Sequence, residues 1–337
     1  MNIFILGAGA WGTAIAAHAA RNALGHRAFL WSRSEVIASQ INRARVNQKY
    51  LPDISVPAEL SVVSDWSSMF SQAHEDDLVV IATPVSGVKV VVNGLLALPV
   101  IPKNWIWLCK GLDPETSAMP HQVIASLLPP TTAIRTGVLS GPSFAIEVAR
   151  GLPCALTVAS ESAELVRLVQ QTLHYGNLRI YGSSDVIGVE LGGAVKNVLA
   201  IATGISDGLG LGLNARAALL TRGLSEMMRL VIAAGGKAET AIGLAGIGDL
   251  ILTATGDLSR NRQVGLQLAS GKKLAEILAE LGHVAEGVRC AQAVSNLAKE
   301  KEVDMPITDT VCKILFDNLP ARDAVALLMG RDPKLEG

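Results

Sequence analysis

Three glycines near the start of the chain constrain it most. Gly7, Gly9 and Gly12, in Gly-Ala-Gly-Ala-Trp-Gly, follow the apolar run Ile3 to Leu6 and precede the Ala-rich stretch Thr13 to Ala20. The first run reads as a strand buried on both faces and the second as a helix. Between strand and helix each glycine serves a different purpose, namely a tight turn, close approach of backbone to a ligand, and close packing of helix on strand. The free N–H groups at the positive helix end favour a pyrophosphate, so the loop predicts a bound dinucleotide. In a chain with 32 glycines the spacing alone also fits a structural turn. The placement between strand and helix is what points to a cofactor.

Further apolar runs at Ala28 to Trp31, Leu78 to Ala82 and Trp105 to Leu108 alternate with helical stretches up to about residue 185. That alternation predicts a parallel sheet covered by helices. Ala155 to Val158 and Leu178 to Tyr181 extend the sheet, with an antiparallel direction left open. From about Gly188 the β-like runs give way to Ala/Leu/Gly segments such as Ala194 to Ile205 and Ala215 to Ala234. The expected fold class is α/β: a Rossmann-like, mostly parallel sheet domain over residues 1–187, followed by an all-helical substrate and catalytic domain over 188–337. The 337 residues suit two domains, and the boundary is a change of period with no linker.

A net charge of −1 offers no basic field to a polyanion, which argues against nucleic acid. Charged residues make up 18%, below the roughly 25% usual in soluble domains, so apolar surface hidden between subunits is expected. Cys109, Cys154, Cys290 and Cys312 share no metal-ligand or disulfide spacing. No metal site is expected, and a reducing, cytoplasmic location fits. The apolar N-terminus contains the small-residue step Ala17-His18-Ala19 but lacks a basic leader, so no signal peptide is expected. No later stretch offers eighteen apolar residues without a charge or a cluster of glycines, and no membrane span is expected.

At the end of the second strand an NAD-selective site would place an acid against the ribose 2′-hydroxyl. Ser32 and Arg33 stand there instead. A guanidinium pairs with a 2′-phosphate, so NADP is favoured, while the nearby Glu35 leaves use of NAD open. Arg33 also reads as a solvated loop charge. Reducing a ketone needs a proton donor at its oxygen. Lys110, in Leu-Cys-Lys-Gly-Leu, follows a strand at the carboxyl end of the sheet, where ligands bind in such folds. Lys196, in Gly-Gly-Ala-Val-Lys-Asn-Val, lies among small apolar residues that fit close approach by another backbone or a ligand. Asp249, in Leu-Ala-Gly-Ile-Gly-Asp-Leu, is an acid in an apolar surround and calls for a cationic partner, Lys196 by preference. Thr253 follows, then Ser259-Arg260-Asn261-Arg262 ahead of a helical stretch, suited to a phosphate. The plainer readings are a snorkelling Lys110, an exposed Lys196, a helix-capping Asp249 and a solvated basic turn.

Together these residues resemble the NAD(P)-dependent glycerol-3-phosphate dehydrogenase family in its bacterial form. The similarity runs over seven segments in order: GAGAWGTA at 7–14, ATPV at 82–85, KGLD at 110–113, GPSFAIEV at 141–148, GAVKNVLAIATGISDGLGLGLNARAALLTRGLSEM at 193–227, GLAGIGDLILTATGDLSRNRQVG at 243–265 and AEGV at 285–288. The resemblance implies interconversion of dihydroxyacetone phosphate and sn-glycerol 3-phosphate, serving phospholipid synthesis, by a homodimer. It implies that Lys196 donates and accepts the proton, that Lys110 contacts substrate and cofactor, and that Asp249 and Thr253 complete the active site. Ser259, Arg260 and Asn261 would hold the substrate, which Gly141 and Ser143 would also touch. Gly7, Gly9, Ala10, Trp11, Gly12, Arg33, Ala145, Arg260, Val284 and Glu286 would line the cofactor. Ala10 departs from the family, which often has serine there, so only a backbone N–H serves at that position.

Two other readings compete. Dehydrogenases of the 6-phosphogluconate and 3-hydroxyisobutyrate type place Lys-x-x-x-Asn on the catalytic helix, whereas here Asn197 adjoins Lys196 and position 200 is alanine. A sensor that binds NADPH without turnover would have little use for two lysines, an aspartate and an Arg-Asn phosphate site.

Overall fold

The apolar runs assemble into one sheet. The computed structural model describes residues 1–22, 24–281 and 285–330. Its strands are β1 Asn2–Leu6, β2 Arg27–Trp31, β3 Val46–Asn47, β4 Leu51–Ser55, β5 Ser61–Val63, β6 Leu78–Ile81, β7 Asn104–Trp107, β8 Arg135–Ser140, β9 Cys154–Ala159 and β10 Leu178–Ser183. Eight lie in the order β10-β9-β8-β7-β6-β1-β2-β5, and β3 and β4 form a separate antiparallel pair. β9 runs antiparallel to β8 and β10 parallel to β9, so these two oppose the other six. The late strands thus extend the sheet in the reversed direction. Neither the three-residue β5 nor β8, whose polar start Arg-Thr-Gly breaks the apolar run, stands out in the sequence.

β1, β6 and β7 are buried along their whole length, as strands covered on both faces must be. The chain leaves β1 for β2 and β5 on one side, then returns to place β6 on the other side of β1. That reversal is the switch point at which open α/β sheets bind ligands, and the glycine loop leaves β1 there.

The chain divides into two compact units, Met1–Lys110 with Met119–Glu190, and Gly111–Ala118 with the chain from Leu191 onward. The second is helical. Its helix Val186–Gly208, which begins in the first unit, is buried from Leu191 to Ile205 and is followed by Gly212–Ala233. A Cβ on Gly204 would stand 2.1 Å from the Arg262 carbonyl oxygen, and one on Gly265 2.2 Å from that of Ile201. Helices Val186–Gly208 and Arg260–Ala269 therefore touch backbone to backbone, which only glycine permits. By length and composition, Val186–Gly208 and the stretch Ala238–Thr255 could each cross a membrane, although both carry charges and glycines. The first, however, is 89% buried inside the fold, as a core helix is, and the second 39%.

Candidate active site

In the first unit the three glycines have three different surroundings. Gly7 has φ +135°, and a Cβ there would come 2.8 Å from the Ala82 carbonyl oxygen just past β6. A Cβ on Gly12 would come 2.0 Å from the Gly7 carbonyl oxygen, so the helix Ala10–Ala20 rests directly on the turn. Gly9 faces open space, with nothing within 4 Å of a built Cβ. It is also the N-cap of that helix and offers no side chain to its free N–H groups. The first helical bond runs from Thr13 N to Gly9 O at 2.9 Å, which leaves the N–H groups of Ala10, Trp11 and Gly12 without helical acceptors. Trp11 Nε1 and Thr83 Oγ1 are buried without partners beside this loop and at the end of β6. An open, uncapped helix end flanked by orphaned donors fits a bound pyrophosphate.

Ala10, Trp11 and Ala145 all pack on one apolar cluster of Ala14, Leu51, Ile54 and Ala149. Arg33 is exposed just beyond β2, after the buried Ser32, and Glu35 sits in the first turn of helix Glu35–Ala44. The loop has one support that no motif singled out. The buried Asn47 in β3 donates through Nδ2 to Ala8 O at 3.0 Å and to Thr13 Oγ1 at 2.8 Å.

Lys110, Gly141 and Ser143 meet at one atom. Lys110 Nζ and Ser143 Oγ each donate to the Gly141 carbonyl oxygen at 3.0 Å. Gly141 follows β8 with φ +139°, a conformation that favours glycine. Behind β7, Trp107 Nε1 and the His121 backbone N–H each donate to Glu190 Oε1 at 2.9 Å, and His121 Nδ1 pairs with Glu190 Oε2. Burial pushes the Glu190 carboxyl up, and His121 opposes the shift.

In the second unit the structure brings Lys196, Asp249 and Thr253 together. Lys196 Nζ donates to Thr253 Oγ1 at 2.8 Å and lies 3.2 Å from Asp249 Oδ1. Thr253 Oγ1 in turn donates to the Asp249 carbonyl at 2.7 Å. Lys196 is 7% exposed and Asp249 1%, so the pair is desolvated and each charge depends on the other. A π-helical turn, Leu244–Gly248, precedes Asp249 at the start of helix Asp249–Thr255. The small residues around Lys196 admit other backbones. A Cβ on Gly192 would meet Ala245 O at 2.6 Å, and one on Gly287 would meet Asn197 O at 2.6 Å. Burial pushes the Cys290 thiol nearby up to about 12, with Glu286 reinforcing and Lys196 opposing, so it is no nucleophile.

Within the Ser259–Arg262 segment the side chains take separate roles. Ser259 caps helix Arg260–Ala269 by accepting from Arg262 N. Arg262 pairs with Asp207 at 2.9 Å and Asp257 at 3.1 Å, and Arg216 also holds Asp207, so Arg262 is structural. Arg260 is exposed at the first position of the helix. Asn261 is buried, donating to Asn197 Oδ1 at 2.8 Å and accepting from Gly287 N at 3.0 Å. It thereby links the residue beside Lys196 to the first turn of helix Glu286–Glu300, where Glu286 is half-buried. Val284 lies outside the described residues. Among the described residues no group of three His, Cys, Asp or Glu side chains could hold a metal ion.

Two family models match the chain: the N-terminal region of NAD-dependent glycerol-3-phosphate dehydrogenase over residues 2–166, and its C-terminal region over residues 185–326. The glycerol-3-phosphate dehydrogenase [NAD(P)+] of Polynucleobacter asymbioticus is 59% identical over 339 residues, covering 100% of both chains. That of Ralstonia nicotianae is 57% identical, covering 100% of this chain and 99% of its own. The crystal structure of the Coxiella burnetii glycerol-3-phosphate dehydrogenase superposes with a TM-score of 0.91 at 41% identity, covering 98% of this chain and 99% of that one.

Proposed function

Since the chain belongs to the NAD-dependent glycerol-3-phosphate dehydrogenase family, we propose that it interconverts dihydroxyacetone phosphate and sn-glycerol 3-phosphate with NAD(P)H. It is an oxidoreductase that uses NADP or NAD, and its product supplies the glycerol phosphate backbone of phospholipids. One observation supports this above the rest: a buried ammonium, Lys196, held by Asp249 and Thr253.

Reduction of the ketone needs a hydride at carbon and a proton at oxygen. When bound, the reduced nicotinamide supplies the hydride. Residues 1–187 hold the cofactor, with Gly7, Gly9 and Gly12 shaping the loop, the N–H groups of Ala10 and Trp11 on its phosphates, Ala145 lining it and Arg33 selecting the 2′-phosphate, while Glu286 of residues 188–337 also contacts it. Lys110, Gly141 and Ser143 contact the substrate. In residues 188–337, Lys196 protonates the carbonyl oxygen and takes the proton back in reverse, while Asp249 keeps the ammonium in place. Ser259, Arg260 and Asn261, at a helix N-terminus, hold the phosphate and glycerol end of the substrate, and the phosphate is what distinguishes it from a neutral ketone.

We further infer a cytoplasmic homodimer with no membrane span and no nucleic-acid partner. The near-zero net charge, the low charged fraction and the exposed Leu211, Leu213, Ile242 and Ile251 of the helical unit support that reading. The deciding experiment is NADPH oxidation followed spectrophotometrically with dihydroxyacetone phosphate, with 6-phosphogluconate and 3-hydroxyisobutyrate assayed in the oxidative direction. Turnover of dihydroxyacetone phosphate alone is expected. Binding of NADPH without turnover would favour a sensor.

A further inference from the structure

We propose that Asn47 is a positioning residue for the dinucleotide loop, acting on cofactor affinity without touching the cofactor. The inference rests on the reading of the glycine loop as the dinucleotide site. Its basis is one side-chain amide with both functions engaged. Nδ2 donates to Ala8 O, between the first two glycines, and to Thr13 Oγ1, just past the third. Oδ1 accepts from Tyr50 N at 3.3 Å, which closes the turn between β3 and β4 on itself. The two acceptors bracket Gly9 and the uncapped first turn of helix Ala10–Ala20, so a single NH2 group sets the spacing across the segment that presents its free N–H groups.

Asn47 is 1% exposed and Thr13 0%, so neither acceptor bond is exchanged with water. The chemistry is specific to an amide. Aspartate has no hydrogen to offer Ala8 O, and serine, with one hydroxyl, cannot donate twice. A loop that binds through backbone N–H groups has no side chain of its own to restore its geometry. Support from outside the loop therefore falls to Asn47, and because pyrophosphate is common to both cofactors its effect cannot discriminate between them.

The test is direct titration of the full chain with NADPH and with NADH, beside steady-state kinetics with dihydroxyacetone phosphate. Asn47→Ala should raise the Kd of both cofactors by one common factor of about 5- to 150-fold, the range expected when a buried acceptor loses its donor. At saturating cofactor, kcat should stay within about 3-fold, since the proton donor is elsewhere. Thr13→Val, which deletes one of the two bonds, should show part of the same loss, and Thr13→Ser should restore near-normal binding. The double variant Asn47→Ala/Thr13→Val should lose less than the product of the single losses, because both remove one shared contact. If Asn47→Ala does not fold, Thr13→Val against Thr13→Ser carries the test alone. A folded Asn47→Ala protein with normal Kd values overturns the proposal. So does a loss confined to NADPH, which would make the amide a reader of the 2′-phosphate, and so does full multiplication in the double variant. A wild-type protein that binds neither dinucleotide sinks the loop reading as well, and the two failures are told apart by that control.

Discussion

The Lys196 ammonium lies 3.2 Å from the Asp249 carboxylate, with both side chains almost wholly shut from water. Either charge alone at that depth would be costly, so removal of either partner should destabilise the fold. Lys196→Ala should lower kcat by at least about 10²-fold while NADPH still binds, since it deletes the proposed proton donor. Asp249→Ala strands a buried ammonium and Lys196→Ala a buried carboxylate, so each should also destabilise the fold by about 3–5 kcal/mol. Chemical melts and cofactor titration of both variants check this. Near-normal turnover in the lysine variant would remove Lys196 from the mechanism.

The loop glycines separate binding from folding. Gly12→Ala puts a methyl carbon 2.0 Å from a backbone oxygen and should prevent a stable first unit from forming. Gly9→Ala meets nothing within 4 Å, so Tm should hardly move while NADPH and NADH affinity both fall. A Gly9→Ala protein with undiminished cofactor affinity would place the pyrophosphate elsewhere.

Arg33 is exposed immediately beyond β2. Arg33→Ala should weaken NADPH far more than NADH, because only the former carries a 2′-phosphate for the guanidinium. Equal losses in KM for the two cofactors would show that this arginine does not read the phosphate.

Asp207 and Asp257 take up Arg262, whereas Arg260 stands exposed at a helix N-terminus. A charge-assisted contact contributes roughly 1.5–3 kcal/mol, so Arg260→Gln should cost about 10- to 150-fold in kcat/KM for dihydroxyacetone phosphate. Phosphate-free dihydroxyacetone should be nearly indifferent. Proportional losses for both compounds would assign Arg260 to the fold or the cofactor.

Glu226 caps helix Pro306–Phe316, accepting from Ile307 N at 2.6 Å and Thr308 N at 3.2 Å, yet burial pushes its carboxyl up from 4.5 to about 7. Between those values the folded state keeps a proton that the unfolded chain has released. This group's contribution is therefore fully present below about pH 4.5 and is lost as pH rises to about 7, a change of roughly 3 kcal/mol at ~1.36 kcal/mol per pH unit. Urea melts of wild type and Glu226→Gln at pH 5 and pH 7.5 read it: the variant should lose that slope. Identical slopes would mean that the carboxyl is already ionised at pH 5.

Much of the first unit is legible from local pattern alone. An apolar run, three glycines at fixed spacing and an Ala-rich stretch state a strand, a turn and a helix end, because strand burial and the free N–H groups of a helix start involve neighbours in sequence. The same locality let Lys110, Lys196, Asp249 and Arg260 be picked out as charges in apolar or helix-end settings. The short β5 and the polar-headed β8 carry no such signal and stay hidden in the sequence.

What only the tertiary structure decided is which faces meet. Lys196 reaches Thr253 across 57 residues, Asn261 reaches Asn197 across 64, and Asn47 reaches Ala8 across 39. Sequence period says that a face is buried but not what lies against it, so the partner of Asp249 was an expectation and Asn47 was invisible. The reversed direction of β9 and β10 is likewise a matter of how their connections cross the sheet. Arg260 and Arg262, two residues apart, differ in surroundings because Asp207, a carboxylate on another helix, pairs with Arg262 while Arg260 is exposed. Local chemistry marked the residues, and long-range packing set what surrounds each of them.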